Sequence, residues 1–281
     1  MRATVFIAVV AVVLASAAVG WLRSPSSAPT EREEPLTGTL TAEELEQELE
    51  RWREVQEAAK KLEAGCGDGG CAGMEEEGTG EVERVHNYAT GETWWFGHLH
   101  NESDTSFEMY EGMEPKGFVN VEHVHPQQAE QVVLLQGVVQ CTWQERDDFV
   151  WHSGLLYPGQ WISVPAGMSH ALENAATLMA KNSTTHSDAG VDIDDIVVMR
   201  VRYTPGDDNM KDFFRSLGRL SETPLGLTWL PGMPGLPDPI HTALLWSTFP
   251  DLSQFWWLPA IAQDSWAVVG TAIGNLCGAE L

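Results

Sequence analysis

Short β-rich runs separated by turn residues dominate the middle of the chain, between about residues 82 and 205. The runs Gln131 to Gln140, Gln160 to Val164 and Ile196 to Tyr203 are rich in Val, Leu, Ile and aromatic residues, and Gly, Pro, Asn and Asp separate them. Repeated short strands with such turn signals are typical of a β-sandwich or β-barrel. The pattern therefore predicts a mainly β domain over 82–205.

Helical periodicity precedes this region. Thr41 and Glu44 have the spacing of a capping box, in which each side chain satisfies an otherwise unpaired backbone N–H at a helix start. A helix over about 42–64 should follow, because one apolar stripe recurs at three- and four-residue steps. The stripe consists of Leu45, Leu49, Trp52, Val55, Ala59 and Leu62. The favoured interpretation packs it on the main domain, and a short dimerising coiled coil is the alternative.

Helices are also predicted after the β region, so 206–281 is interpreted as a C-terminal helical extension. The first runs to about Leu220, and two more cover about 240–248 and 258–278. The last stretch is apolar, but Asp264 interrupts it, which disfavours a membrane span. It is interpreted as an apolar cap on the β domain or as a dimer contact.

Residues 1–22 form an apolar N-terminal segment whose positions 3–22 carry no charge and lie between arginines. That length is enough to span a bilayer. Small residues at 15–17 equally fit a cleaved secretory signal peptide, and the two interpretations stay open. Both predict a lumenal or extracellular protein, with a membrane tether through 3–22 in the first case, unless an anchor leaves its C-terminal side in the cytosol. Sequons at Asn101 and Asn182 agree with a secretory route.

Charge narrows the classes of partner. The 281 residues carry 41 acidic against 16 basic side chains, a formal net charge of −25. Recognition of nucleic acid needs a basic face, so such a partner is disfavoured. About half of the net charge lies in 31–83, and 23–81 is interpreted as an acidic, solvated stalk or linker that includes the helix. Within it, Cys66 and Cys71 could close a small disulfide ring, whereas four cysteines in all are too few for a disulfide scaffold.

The β region carries two polar insertions that point to a metal site. His123 and His125 alternate along a predicted strand, so both imidazoles project to the same side. Glu130 opens an apolar run, where a buried carboxylate is costly without a partner. A tight turn at 165–167 delivers His170 to the start of the next strand. Imidazole and carboxylate together predict a site for a divalent transition metal.

The same residues resemble both signature motifs of the cupin superfamily, G-x5-H-x-H-x4-E-x6-G over 117–137 and G-x5-P-x-G-x2-H-x3-N over 159–174. Every fixed position is met, and the segment Asn87 to Glu92 is similar to the entry strands of single-domain bacterial-type cupins. The resemblance implies a double-stranded β-helix, a jelly-roll barrel, with an N-terminal helical stalk and C-terminal helices. It also implies one Fe, Mn, Ni, Cu or Zn ion with the ligands His123, His125, Glu130 and His170.

Three functional hypotheses follow from the resemblance. The first is an oxygenase-type oxidoreductase, similar to dioxygenases, that acts on a small organic molecule, with Glu130 as ligand or proton acceptor. The second is a non-catalytic small-molecule-binding or scaffold cupin. The third is a metal-dependent isomerase or lyase. A homodimer is the expectation for barrels of this family.

Other polar and aromatic residues are weaker candidates. His98 and His100 form a second H-x-H pair, but no carboxylate follows at metal spacing, so they are interpreted as surface or pocket-wall residues. The remaining histidines are isolated and are interpreted as ordinary structural residues, namely His86, His152, His186 and His241. The tryptophans Trp143, Trp151 and Trp161 fit either a ligand pocket or the core, and Cys141 and Cys277 are interpreted as buried thiols.

Overall fold

A computed structural model describes residues 35–65, 82–87, 91–96, 106–114, 122–144, 150–176, 196–207, 209–222, 245, 247–249, 254–255 and 268. The following predictions lie outside these residues: the apolar segment 3–22, the Cys66/Cys71 segment, both sequons, His98, His100, His186, His241, Cys277 and most of the helices over 240–248 and 258–278.

Twelve strands and two helices make up the described elements. In chain order they are β1 (Leu36–Thr39), α1 (Ala42–Gly65), β2 (Glu83–Asn87), β3 (Glu92–Phe96), β4 (Phe107–Met113), β5 (His123–Val124), β6 (Ala129–Gln136), β7 (Val139–Gln144), β8 (Trp151–Leu156), β9 (Gln160–Val164), β10 (Ser169–Asn174), β11 (Val197–Thr204), α2 (Met210–Glu222) and β12 (Gln254–Phe255).

The strands form two antiparallel sheets. The larger sheet has the order β1-β9-β6-β11-β4-β3-β2, and the smaller has the order β12-β5-β10-β7-β8. Among consecutive strands, the chain changes sheet at β4–β5, β5–β6, β6–β7, β8–β9, β9–β10, β10–β11 and β11–β12. This alternation is the jelly-roll arrangement, in which the two sheets enclose one core. The predicted mainly β, jelly-roll fold is confirmed.

Strand alternation separates an inner from an outer face of the larger sheet. Met109, Leu134 and Met199 point inward and join residues of the smaller sheet, such as Leu172, in the core between the sheets. The outer face carries Tyr110 and three aliphatic neighbours, and α1 covers it. The interior that the sheets enclose is therefore apolar over most of its length.

Helix α1 begins and packs as its sequence predicts. The Thr41 backbone N–H donates to the Glu44 carboxylate at 2.7 Å, and the Glu44 N–H donates to the Thr41 hydroxyl oxygen at 3.2 Å, a capping box. Trp52 and Val55 of the apolar stripe are buried against the outer face of the larger sheet. The favoured packing interpretation is confirmed. Strand β1, from the segment interpreted as a stalk, also pairs with β9 at the sheet edge.

A buried carboxylate in the apolar face of α1 was not predicted. Glu48 is 7% exposed, and its Oε1 lies 3.4 Å from Arg200 Nη1 on β11 and 3.1 Å from Arg51 Nη1 on the same helix. The helical stripe alone does not reveal this residue, because its partner Arg200 is distant in sequence. The ion pair adds a polar link between helix and sheet to the apolar contact.

The β-rich run Gln131 to Gln140 forms parts of two strands rather than one continuous strand. The structure ends β6 at Gln136 and begins β7 at Val139. Gly137 stands between them with φ = 81°, a left-handed conformation that glycine adopts without steric cost. The turn transfers the chain from the larger sheet to the smaller one.

Replacing Gly137 with alanine should lower the free energy of unfolding by about 1–3 kcal/mol, the usual cost of a strained backbone conformation. A Cβ here would also lie 2.9 Å from Val197 Cγ2 and 3.1 Å from Val197 Cα. Urea denaturation measures the loss. Gly154→Ala is the control, because a Cβ there meets only the Trp143 ring at 3.7 Å. Equal losses in the two variants would contradict the assigned turn.

Helix α2 appears where the sequence predicts it and is held by apolar and ionic contacts. Phe213 and Phe214 join the inner core. Glu83 of β2 accepts hydrogen bonds from Arg215 at 2.6 and 2.7 Å, and Lys211 Nζ lies 2.8 Å from it. Burial opposes ionisation of Glu83, but these cations outweigh it and hold its pKa below the usual value. In the described part of the chain, no helix combines the length and apolarity needed to cross a membrane.

Candidate metal centre

The four residues predicted as metal ligands come together between the two sheets. His123 lies on β5 and His125 follows it, Glu130 lies on β6, and His170 lies on β10. Their ligating atoms all lie within 4.8 Å of one another. Strands β5 and β10 pair with His123 opposite His170, so the sheet register itself places two of the imidazoles side by side.

A tight turn fixes the position of His170, as its sequence predicts. The Met168 N–H donates to the Pro165 carbonyl at 3.1 Å, and Gly167 has φ = 76°. The Gly167 N–H donates in turn to the His125 carbonyl at 2.7 Å. The turn is thereby attached to the segment that carries the first two histidines, which sets the distance between the two motifs.

Three of the separations between ligating atoms are close to those around one shared ion. Glu130 Oε2 lies 2.8 Å from His170 Nε2 and 3.1 Å from His125 Nε2. His123 Nε2 lies 3.1 Å from His125 Nε2. Metal–ligand bonds of about 2.0–2.2 Å at right or tetrahedral angles place neighbouring ligand atoms roughly 3 Å apart. The donor set of three nitrogens and one oxygen therefore fits a divalent transition metal.

The supporting contacts orient two of the imidazoles. His170 Nδ1 donates to the Met168 carbonyl at 3.1 Å, which directs Nε2 toward the centre of the group. Such a second hydrogen bond fixes the tautomer and ring orientation of metal-binding histidines. The ring of Tyr203 meets the His125 ring at 5.0 Å in an edge arrangement, so His125 also has little rotational freedom.

Glu130 and His170 shift each other's pKa values in opposite directions. Burial opposes the ionisation of Glu130, but the imidazoles of His170 and His125 outweigh it and hold its pKa well below the usual value. Burial also opposes a charge on His170, yet the Glu130 carboxylate beside it raises the pKa of His170 above 6.5. The Glu130 carboxylate and the protonated form of His170 therefore stabilise each other.

This pair predicts how metal affinity depends on pH. A ligating imidazole must be neutral, and the raised pKa of His170 keeps its proton to a higher pH than an ordinary histidine would. We therefore expect divalent metal affinity to keep rising as pH increases through and above 6.5. Chelator competition with Zn²⁺ between pH 5.5 and 8.5 measures it. An affinity that reaches its plateau below pH 6.5 would contradict the assignment of His170.

The group is enclosed unequally. His125, Glu130 and His170 are 4%, 3% and 1% exposed, whereas His123 is only half-buried. His123 is therefore the most solvent-exposed member of the group. The three deeper residues lie in surroundings of low dielectric, where electrostatic interactions are stronger than in water.

Two further acidic residues inside the barrel were not predicted as part of a site. Glu92 and Glu111 occupy inward positions of β3 and β4 and are 7% and 4% exposed. They share the inward faces of their strands with core residues, for instance Met109 and Met113 on either side of Glu111. A charged residue in an inward position of an apolar strand is the sequence signal that would have identified them.

The other sequence candidates lie apart from this group or in the core. His86 Nδ1 is 2.7 Å from Thr93 Oγ1, and the His152 ring stacks on Trp143 at 5.8 Å. Trp143 and Trp161 line a cleft of about 260 Å³ beside β1 and β8, and Trp151 is partly buried. Cys141 is a buried thiol, as predicted, and burial with the nearby charge of Glu130 raises its pKa to about 12.

Comparisons with known proteins give structural matches of low similarity and show no function. No family model matches the chain, and no curated protein matches it. Among solved structures, a Bacillus subtilis oxalate decarboxylase variant aligns at 17% identity and a TM-score of 0.31, over 42% of this chain and 27% of that one. A Lactobacillus farciminis oxalate decarboxylase–formate complex aligns at 13% identity and a TM-score of 0.29, over 46% of this chain and 30% of that one. Drosophila melanogaster CENP-C, in a structure bound to CAL1, aligns at 11% identity and a TM-score of 0.32, over 44% of this chain and 82% of that one.

These similarities are low, and the two decarboxylases are matched over less than a third of their own length. The aligned structures include both oxalate decarboxylases and a protein described as bound to CAL1. The assignment of the fold therefore rests on the strand order, and the description of the metal centre rests on the geometry of its four side chains.

Proposed function

We propose that this chain is a metal-dependent enzyme of the oxygenase type that acts on a small organic molecule inside a cupin barrel. The observation that carries the proposal is the convergence of His123, His125, Glu130 and His170 within 4.8 Å. We further propose that the protein enters the secretory pathway and is lumenal or extracellular, with residues 3–22 as signal peptide or membrane tether. It assembles as a homodimer.

The chain contributes binding, orientation and shielding to this activity. Four protein ligands leave coordination positions open on an ion that accepts five or six, and there a bound metal supplies Lewis-acid and redox chemistry. His123, on the more exposed side, borders the route by which a small molecule reaches the group. Glu130 lies between His125 and His170 and serves as ligand or proton acceptor.

Elemental analysis of the purified full-length chain tests the metal site. We expect about one Fe, Mn, Ni or Cu ion per wild-type chain, because four converging donors suit one ion. The double variant His123→Ala/His125→Ala should lose it. His86→Ala is the matched control and should keep it, because His86 bonds to Thr93 and not to this group. Equal metal contents in all three proteins would overturn the proposal.

A second measurement separates an enzyme from a binding protein. Azide added to the Co²⁺-substituted protein should change the visible absorption spectrum, because an open coordination position accepts it. An unresponsive spectrum would indicate a closed, structural site and favour the non-catalytic hypothesis. Oxygen consumption with small carboxylic acids and catechols then distinguishes an oxygenase from an isomerase or lyase, which would form product without O₂.

A further inference from the structure

A carboxyl pair lies inside the barrel beside the candidate metal centre. Adjacent strands β3 and β4 bring Glu92 and Glu111 together, with Trp94 directly opposite Glu111 in the register. The two carboxyl groups hydrogen-bond each other, and the Trp94 indole donates to Glu111. A hydrogen bond between two carboxyl groups needs a proton on one of them. The pair therefore shares a proton.

The surroundings of the pair favour its protonated form. Complete burial is the largest influence that raises the pKa of Glu111 well above its usual value, followed by the negative charges of Glu92 and Glu130. Tyr203 lies on β11 opposite Glu130. Burial, together with the charges of Glu130, Glu111 and Glu92, raises the pKa of its hydroxyl, which stays neutral more readily. Facing groups from β3, β6 and β11 thus add negative charge or a neutral phenol, whereas the Trp94 hydrogen bond favours ionisation.

Tyr203 also connects this pair spatially with the metal centre. Its ring contacts that of His125 at 5.0 Å, and the register places it beside Glu130. Glu92, Glu111 and Glu130 are all buried, and the charges of Glu92 and Glu130 act on Glu111. Buried charges interact strongly, because little water separates them. A cation that enters at the histidines therefore acts on the proton of the pair.

We propose that Glu92 and Glu111 form a proton-linked charge buffer, which releases one proton to solvent when a divalent cation binds at His123, His125, Glu130 and His170. This inference rests on the metal site of the proposed function. A divalent ion adds positive charge to the buried interior, and loss of one proton from the carboxyl pair offsets one unit of that charge. No electron is transferred, and the released proton passes to the buffer.

Calorimetric titration of the metal-free, full-length chain with Mn²⁺ at pH 7 tests this inference. Titrations in two buffers with different ionisation enthalpies give the number of protons released for each ion bound. Glu111→Gln and, independently, Glu92→Gln should each release about one proton fewer than the wild type, because an amide has no such proton to lose. Protons from the histidine ligands are common to all these proteins and cancel in the comparison.

Glu114→Gln is the matched control, since this exposed glutamate directly follows β4. It should release as many protons as the wild type. The Mn²⁺ affinity of Glu92→Gln and of Glu111→Gln should also rise less steeply with pH than that of the wild type. For one linked proton, the difference amounts to a factor of about ten for each pH unit. If a folded Glu92→Gln or Glu111→Gln variant released as many protons as the wild type, the charge-buffer inference alone would be overturned. Absence of Mn²⁺ binding by the wild type would overturn the metal site as well.

Discussion

Replacing His170 with alanine is expected to lower the affinity for a divalent metal by more than about a hundredfold. Loss of a residue that merely supports a ligand costs about 10–100-fold, so loss of a ligand itself should cost more. His170 is 1% exposed and lies 2.8 Å from Glu130, so no solvent-exposed side chain can take its place. Competition between the protein and a chelator of known affinity for Zn²⁺ measures the change.

The control for this variant must separate lost ligation from lost structure. His170→Asn keeps a polar side chain in the same volume and should also bind weakly, whereas His86→Ala should bind as the wild type does. Near-ultraviolet circular dichroism and urea denaturation confirm that each variant is folded. A folded His170→Ala protein whose Zn²⁺ affinity lies within tenfold of the wild type would refute the ligand assignment.

Replacing Trp52 with alanine is expected to lower the free energy of unfolding by about 3–5 kcal/mol, as large aromatic truncations in protein cores do. Trp52 is 5% exposed, and its ring lies 4.9 Å from Trp95 and 5.2 Å from Tyr110. It is the largest side chain through which α1 covers the outer face of the sheet. The truncation therefore removes apolar contact and leaves a cavity between helix and sheet.

Urea unfolding followed by far-ultraviolet circular dichroism measures this loss. Val150→Ala is a useful control, because Val150 is 47% exposed and its truncation should change stability by no more than about 0.5 kcal/mol. The loss of unfolding free energy in Trp52→Phe should lie between the losses in Trp52→Ala and Val150→Ala. If Trp52→Ala were as stable as Val150→Ala, α1 would not be packed on the barrel in solution.

The sequence by itself determined the fold class and the members of the candidate metal centre. Short β-rich runs predicted a β-sandwich or β-barrel, and the resemblance of the two motifs predicted the jelly-roll barrel. The motifs also identified His123, His125, Glu130 and His170, because each motif specifies residues at fixed local spacing. The capping box and the stripe of α1 were equally local, since neighbouring turns of one helix set both. Strand bounds were less certain, as the turn at Gly137 shows.

Only the tertiary structure decided which distant residues share an environment. Glu92 and Glu111 are 19 positions apart and become one proton-sharing pair because β3 and β4 are adjacent in the sheet. Glu48 meets Arg200 only because α1 crosses β11. Burial and charge at such positions depend on every strand that surrounds them, whereas a motif records only residues along one segment. Sequence periodicity therefore predicted the elements and the ligands, and strand pairing determined their electrostatic surroundings.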